Sequence, residues 1–150
     1  MTTGAVSGSG QEAAGGSAVP GGRGLHIGLW VAQGLLAAAF LAAGQGKIYM
    51  SAAELSQRMP WVAETGTTLV RFIGVSELAG ALGLILPSAT RIAPKLTVAA
   101  AIGLILVMLL AAGFHVMRGE TQLVPVNLAL ASIAGFIAWG RLRGAPIPGR

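Results

Sequence analysis

Two ionisable residues inside an apolar run give this sequence its most specific chemical signal. The run 67–86 carries Arg71 and Glu77 among small and apolar residues. A charge at the centre of a bilayer costs at least about 2.5 kcal/mol, so Glu77 is expected to face protein and not lipid. Six positions separate the two residues, which places them ~120° apart around a helix and ~9 Å apart along it. They cannot pair within one straight helix, and each needs another partner.

Further polar residues are expected to gather with this pair at one membrane face and form a funnel that opens outward. Glu77 and His115 are candidate catalytic groups, although no catalytic role is assigned. A buried carboxyl near a histidine can titrate near neutral pH and relay protons or hydrogen-bond a quinone-like carbonyl. The alternative is structural, with the polar groups satisfying one another and fixing helix register. The predicted ligand-binding set is Gln33, Lys47, Arg71, Glu77, His115, Arg118 and Asn127.

The residue types that the sequence lacks exclude some kinds of site. Cysteine and aspartate are both absent, so the chain offers no thiolate ligand, and we predict no metal site. His26 and His115 are expected at opposite membrane faces, which disfavours a haem held by both. The net charge is +5, but its basic residues are scattered, so no nucleic-acid partner is expected.

Composition indicates a membrane protein. Of the 150 residues, 54% are hydrophobic and only 10% are charged, far from the balance of a soluble domain. Apolar runs long enough to cross ~30 Å of hydrocarbon occur four times. The sequence therefore predicts an all-α membrane protein, a bundle of four antiparallel transmembrane helices, with spans at about 26–43, 67–86, 96–114 and 123–139.

The segments outside the spans are expected to be polar or unstructured. Residues 1–24 are rich in Gly, Ser and Ala and are predicted to be a disordered tail, and 144–150 a short C-terminal tail. Residues 44–66 are expected at the membrane surface, with Tyr49 and Trp61 at headgroup depth. The second span is expected to stop at Pro87. A cleavage-like step at Ala42–Gly44 would leave three spans if cut, but we expect four.

Basic residues set the predicted orientation. Six lie on the side of the two termini and the second loop, namely Arg23, Arg91, Lys95, Arg141, Arg143 and Arg150. Four lie on the other side, namely Lys47, Arg58, Arg71 and Arg118. The excess places both termini in the cytoplasm.

Small residues at helix-packing spacing recur in the spans. They are Gly74, Gly80, Ala81 and Gly83 in the second span, Ala99 and Gly103 in the third, and Ala131 and Gly135 in the fourth. Such positions let helix backbones approach closely in lipid.

The order of these features resembles the DoxX-like family of small bacterial four-helix membrane proteins. The resemblance runs from about Trp30 to Arg143. It rests on WVAQGLLAAAFLAAGQGKI, on an Arg-x-x-Gly-x-x-Glu-x-x-Gly-Ala helix, and on a Met-x-x-Ala-x-x-x-His helix. The motif positions in this chain are Gln33, Gly44, Lys47, Arg71, Gly74, Glu77, Gly80, His115 and Arg118.

The resemblance implies a multi-pass protein of the bacterial cytoplasmic membrane and a link to membrane oxidoreductase complexes. Three hypotheses follow. Under the first hypothesis the chain is a membrane subunit of a quinone-linked oxidoreductase system, and its partners are a redox protein and a quinone. Under the second hypothesis it is a non-enzymatic assembly or anchor protein. Under the third it is a small carrier of an apolar ligand. It has no cofactor of its own in any of them.

Overall fold

The computed structural model describes residues 21–150, and all regular structure in this range is helical. The predicted tail lies outside the described residues except at 21–24, which belong to the first helix. The elements are α1 (Gly21–Tyr49), α2 (Ala52–Arg58), α3 (Val62–Thr65), α4 (Thr67–Thr90), α5 (Lys95–Met117) and α6 (Val124–Trp139), with a 3₁₀ turn at Thr121–Leu123 and a π-helical turn at Gly140–Gly144.

Four helical segments are long and apolar enough to cross a membrane. They are Gly22–Tyr49, Thr67–Thr90, Lys95–Met117 and Thr121–Gly144. The predicted four-span, all-α architecture is confirmed. Every segment is longer than its predicted span, because a helix continues its backbone hydrogen bonds through polar residues that an apolar run excludes.

The four long helices form a closed antiparallel ring in the order α1, α4, α5, α6. The C-terminus of α1 meets the N-terminus of α4, where Arg71 bonds the Lys47 carbonyl. The N-terminus of α1 meets the π-helical turn, where Arg141 contacts His26. We call the first of these the Lys47 end of the bundle and the opposite one the Arg141 end.

The core lies along the centre of the ring. Phe40, Leu84, Leu104 and Ile137 come from four different helices and are each 0–2% exposed. Large apolar side chains also cover the outside of the bundle, as Leu110 does with 75% exposure. An apolar exterior around an apolar core is what a lipid-embedded bundle requires.

Helices α2 and α3 cap the Lys47 end with a second apolar cluster. Leu55, Val62 and Val70 are buried there, and Trp61 packs edge-on against Phe114 with ring centroids 5.1 Å apart. Trp61 is therefore covered by protein. The Ser51 capping box starts α2, since the Ser51 hydroxyl accepts from the Glu54 N–H and the Glu54 carboxylate accepts from the Ser51 N–H.

The prediction that the second span stops at Pro87 is wrong, because α4 continues to Thr90. Proline removes one backbone donor, yet membrane helices tolerate it where side chains supply substitute hydrogen bonds. Pro87 leaves the Gly83 carbonyl without its helical donor, and Gln33 of α1 donates to the adjacent Leu84 carbonyl at 2.5 Å, so a buried side chain supports the helix next to the proline. The helix ends at Arg91, which adopts a left-handed conformation with φ of 59°.

The predicted close approaches are confirmed in α4 but not in α5 and α6. A Cβ added to Gly80 or Gly83 would lie within 2.7 Å of a side chain of α5, for Gly80 that of Leu104. A Cβ at Gly103 or Gly135 would meet nothing within 4 Å. In α5 and α6 these two glycines lie on open faces, and of the small residues predicted there only Ala131 is buried in the core.

Candidate functional site

A buried ion pair joins α1 to α4 at the Lys47 end. Lys47 Nζ donates to both carboxylate oxygens of Glu77, at 2.8 and 2.7 Å. The Glu77 side chain is 4% exposed and that of Lys47 is 19% exposed. Water therefore reaches the ammonium more easily than the carboxylate, whose hydrogen-bond partner within residues 21–150 is Lys47.

Glycines bring the two helices close enough for this pair to form. A Cβ on Gly74, one turn before Glu77, would lie 2.9 Å from the Lys47 Cβ. A Cβ on Gly44 would lie 2.8 Å from the Gly74 carbonyl oxygen. Both positions accept only glycine without a shift, so backbone contact between α1 and α4 sets the depth at which the pair sits.

Arg71 fastens the end of α1 and does not contact Glu77, as the helix geometry required. Its guanidinium donates to the carbonyl of Lys47 at 3.1 Å and to that of Met50 at 2.8 Å. The last carbonyls of a helix lack intrahelical partners, and a cation there also complements the helix dipole. The role that the geometry gives Arg71 is to hold the C-terminus of α1.

A second charged cluster covers the turn between α5 and α6. His115 Nδ1 lies 2.7 Å from a Glu120 carboxylate oxygen, and Arg118 donates to Glu120 at 3.1 Å and to Glu64 at 2.9 Å. The hydrogen bonds from His115 and Arg118 hold the pKa of Glu120 below its usual range. The bond from Arg118 also lowers the pKa of Glu64. This cluster ties α3 to the α5–α6 turn.

The predicted site thus divides into separate groups. Glu77 pairs with Lys47, whereas His115 pairs with Glu120, so these two candidate catalytic residues do not pair with each other. Spacing along the chain predicted the two residues at the same end of the bundle. It could not assign partners, because Lys47 lies in the last turn of α1 and not beyond its end.

Asn127 supplies a buried amide without a partner at the Lys47 end. The residue is 8% exposed and lies in the first turn of α6. Within the described chain its Nδ2 makes no hydrogen bond. An unbonded buried amide donor costs about 1–3 kcal/mol, so this atom is a candidate contact for a ligand.

Gln33 belongs to the other end of the bundle. It lies 14 residues before Lys47 on α1, about 21 Å along the helix. It is fully buried and accepts a hydrogen bond from Arg141 Nε at 2.6 Å, in addition to its bond to Leu84. The structure therefore does not bring Gln33 together with the other six predicted ligand-binding residues.

Arg141 is a buried cation. The sequence indicated it only as one of the basic residues that set the membrane orientation. It is 5% exposed, and its guanidinium lies over the Trp30 ring at 5.2 Å from the centroid. It also contacts His26 Nδ1 at 3.3 Å and donates to the Ala145 carbonyl at 3.2 Å. The sequence held one indication of this contact: Gln33 lies inside an apolar span and needs a hydrogen-bond partner. It did not identify which of the C-terminal arginines supplies that hydrogen bond.

Comparison with known proteins agrees with this architecture. The model of the DoxX-like family matches residues 31–137, a range that holds Lys47, Glu77, His115 and Asn127. The comparisons with curated proteins and with solved structures give no match. Because the family match covers more than half of the chain, and the chain folds into four membrane-spanning helices, this protein belongs to the DoxX-like family.

Proposed function

We propose that this chain is the membrane subunit of a quinone-linked oxidoreductase system and that its Lys47 end holds the quinone head group. The observation that carries the proposal is the Asn127 amide, which is buried and has an Nδ2 donor without a partner among the described residues. A quinone supplies carbonyl oxygens that accept hydrogen bonds and that take up protons on reduction. Asn127 Nδ2 is the donor suited to such an oxygen.

The charged groups at the same end of the bundle suit the handling of protons. His115 Nδ1 and the Glu120 carboxylate are 2.7 Å apart, with side chains 16% and 23% exposed, so water reaches both groups. Glu77 Oε1 and Oε2 lie deeper and hold the Lys47 ammonium. We assign Glu77 a positioning role, in which it fixes a positive charge near the head group.

Electrons must come from another subunit. The sequence has no cysteine, and its two histidines lie at opposite ends of the bundle, so the chain has no redox-active thiol or bis-histidine haem site. A soluble or membrane redox partner protein is therefore part of the proposal. Both termini are proposed to lie in the cytoplasm, with the protein in the bacterial cytoplasmic membrane.

A second candidate function is non-enzymatic assembly or anchoring. The Arg71 bonds to two carbonyls of the α1 end and the two-oxygen contact of Lys47 with Glu77 favour it, since both link α1 to α4 within the chain. Such contacts fix helix register whether or not a ligand binds.

Extraction of lipids from the purified full chain distinguishes the quinone-linked function from the anchoring function. In mild detergent we expect about one quinone per chain, lost in Asn127→Leu and kept in Ser132→Ala. The control removes an exposed hydroxyl of α6 that bonds only to its own helix. A soluble partner that co-purifies without quinone would favour the anchoring function. Absence of both would overturn these two candidates and leave the carrier hypothesis.

A further inference from the structure

A basic pocket opens at the Arg141 end, away from the site proposed above. It has a volume of about 590 Å³ and lies between the α4–α5 loop, the start of α5 and the C-terminal segment. Four cationic residues line it: Arg91, Lys95, Arg141 and Arg150. The C-terminal segment is held over the loop by a hydrogen bond from the Arg150 N–H to the Arg91 carbonyl at 3.1 Å.

No carboxylate side chain of the described chain balances these charges locally. None lines the pocket, and the glutamates of the described range, at positions 54, 64, 77 and 120, belong to α2, α3, α4 and the α5–α6 turn, all at the Lys47 end. Four cations converging on one cavity repel each other, and an anion in the cavity would relieve that repulsion.

Arg141 is the feature that distinguishes this pocket from an ordinary basic flank. Basic residues that only set membrane orientation need to be near the surface, and they gain nothing from burial. Arg141 is only 5% exposed, lines the pocket, and has an Nη2 without a hydrogen-bond partner in residues 21–150. A buried guanidinium nitrogen with free protons is a donor suited to an anionic oxygen.

The remaining walls indicate what kind of anion fits. Val98, Leu142 and Ile147 give the pocket an apolar side next to its cationic groups. The pocket also lies where α5 begins and the last span ends, and the ends of membrane-spanning helices lie close to the lipid head groups. Basic pockets between transmembrane helices are typical binding sites for anionic head groups.

We propose that this pocket binds a phosphate group, with Arg141 Nη2, Arg91 and Lys95 as its donors. Phosphate oxygens are shared by anionic phospholipid head groups and by soluble phosphate, and the apolar wall favours the lipid. The site is independent of the quinone proposal, because its residues lie at the other end of the bundle.

Lipid competition on the full-length protein tests this. Detergent-solubilised protein is titrated with short-chain phosphatidylglycerol, with phosphatidylcholine of the same chain length, and with inorganic phosphate, and bound ligand is counted by native mass spectrometry. We expect one phosphatidylglycerol to bind at least tenfold more tightly than phosphatidylcholine. Lys95→Gln and Arg91→Gln should each weaken it about five- to tenfold, since each cation near the surface contributes about 1 kcal/mol.

Arg143→Gln is the matched control, because Arg143 is an exposed cation at the same end that does not line the pocket. Its affinity should stay within about twofold of the parent. Competition by inorganic phosphate would identify the free anion as a ligand, and a lack of competition would identify the lipid head group; either result supports the site. Equal binding of the two lipids, or an equal loss in Arg143→Gln and Lys95→Gln, would overturn it.

Discussion

Lys47 and Glu77 are 30 positions apart in the sequence and meet as a two-oxygen ion pair that joins α1 to α4. The two partners are not equivalent. The Glu77 side chain is 4% exposed, whereas Lys47 is 19% exposed at the end of its helix. A long lysine side chain can turn toward water if its partner is lost, and a buried carboxylate cannot.

The first prediction is that Lys47→Met destabilises the protein more than Glu77→Gln. Removing the lysine strands a buried carboxylate, at a cost of about 3–5 kcal/mol, while glutamine still accepts a hydrogen bond from Lys47. The double variant Lys47→Met/Glu77→Leu should recover most of the loss. Unfolding midpoints in mixed detergent micelles measure all three, and a double variant as unstable as Lys47→Met would contradict this.

The second prediction concerns the close approach of α1 and α4. Gly44→Ala should destabilise by about 1–3 kcal/mol, because its Cβ would lie 2.8 Å from the Gly74 carbonyl oxygen, and backbone must shift. Gly34→Ala is the control in the same helix, where a Cβ meets nothing within 4 Å, and it should be neutral or stabilising. Similar midpoints for the two variants would show that the helices are not in backbone contact.

The third prediction is a pH dependence at the α5–α6 turn. The pKa of Glu120 is lowered in the folded protein by His115 and Arg118, so its ion pairs add stability above the unfolded pKa of about 4.3. That contribution is lost as the pH falls through the lowered folded value. The difference in thermal midpoint between the parent and Glu120→Gln should therefore be larger at pH 6 than at pH 4 and shrink further as the pH falls. A constant difference would contradict the ion pairing.

The fourth prediction is the orientation of the bundle. Because the sequence has no cysteine, single cysteines report location without background. A cysteine at Ala93, in the α4–α5 loop, should resist membrane-impermeant maleimide in intact cells, and one at Gln57 in α2 should react. Both positions are exposed. The reverse pattern would place the termini outside.

The sequence was sufficient for the four spans, because long apolar runs have few alternatives to a membrane helix. It also showed that Arg71 and Glu77 could not pair within α4, since helix geometry alone decides that. It did not reveal where α1 ends. Helix ends depend on capping contacts, and here Arg71 supplies them from 24 positions away.

Partner assignment was the part that could not be predicted. The sequence predicted several cations at the same membrane face as Glu77 and did not identify which of them pairs with it; the close contact of Gly44 with Gly74 brings Lys47 to that position. Arg141 is a similar case. Its side chain is buried where the backbone is π-helical, at Gly140–Gly144, and no sequence pattern predicted that geometry.

Quinone content and membrane abundance in Glu77→Gln test the proposed quinone site most directly. We predict normal abundance, because the glutamine oxygen still accepts a hydrogen bond from Lys47, and a clear loss of the quinone that the parent protein carries, because a neutral amide holds the Lys47 ammonium through one oxygen instead of two and no longer fixes its charge near the head group. A parallel fall of both quantities, or a parent protein that carries no quinone, would contradict the proposed site.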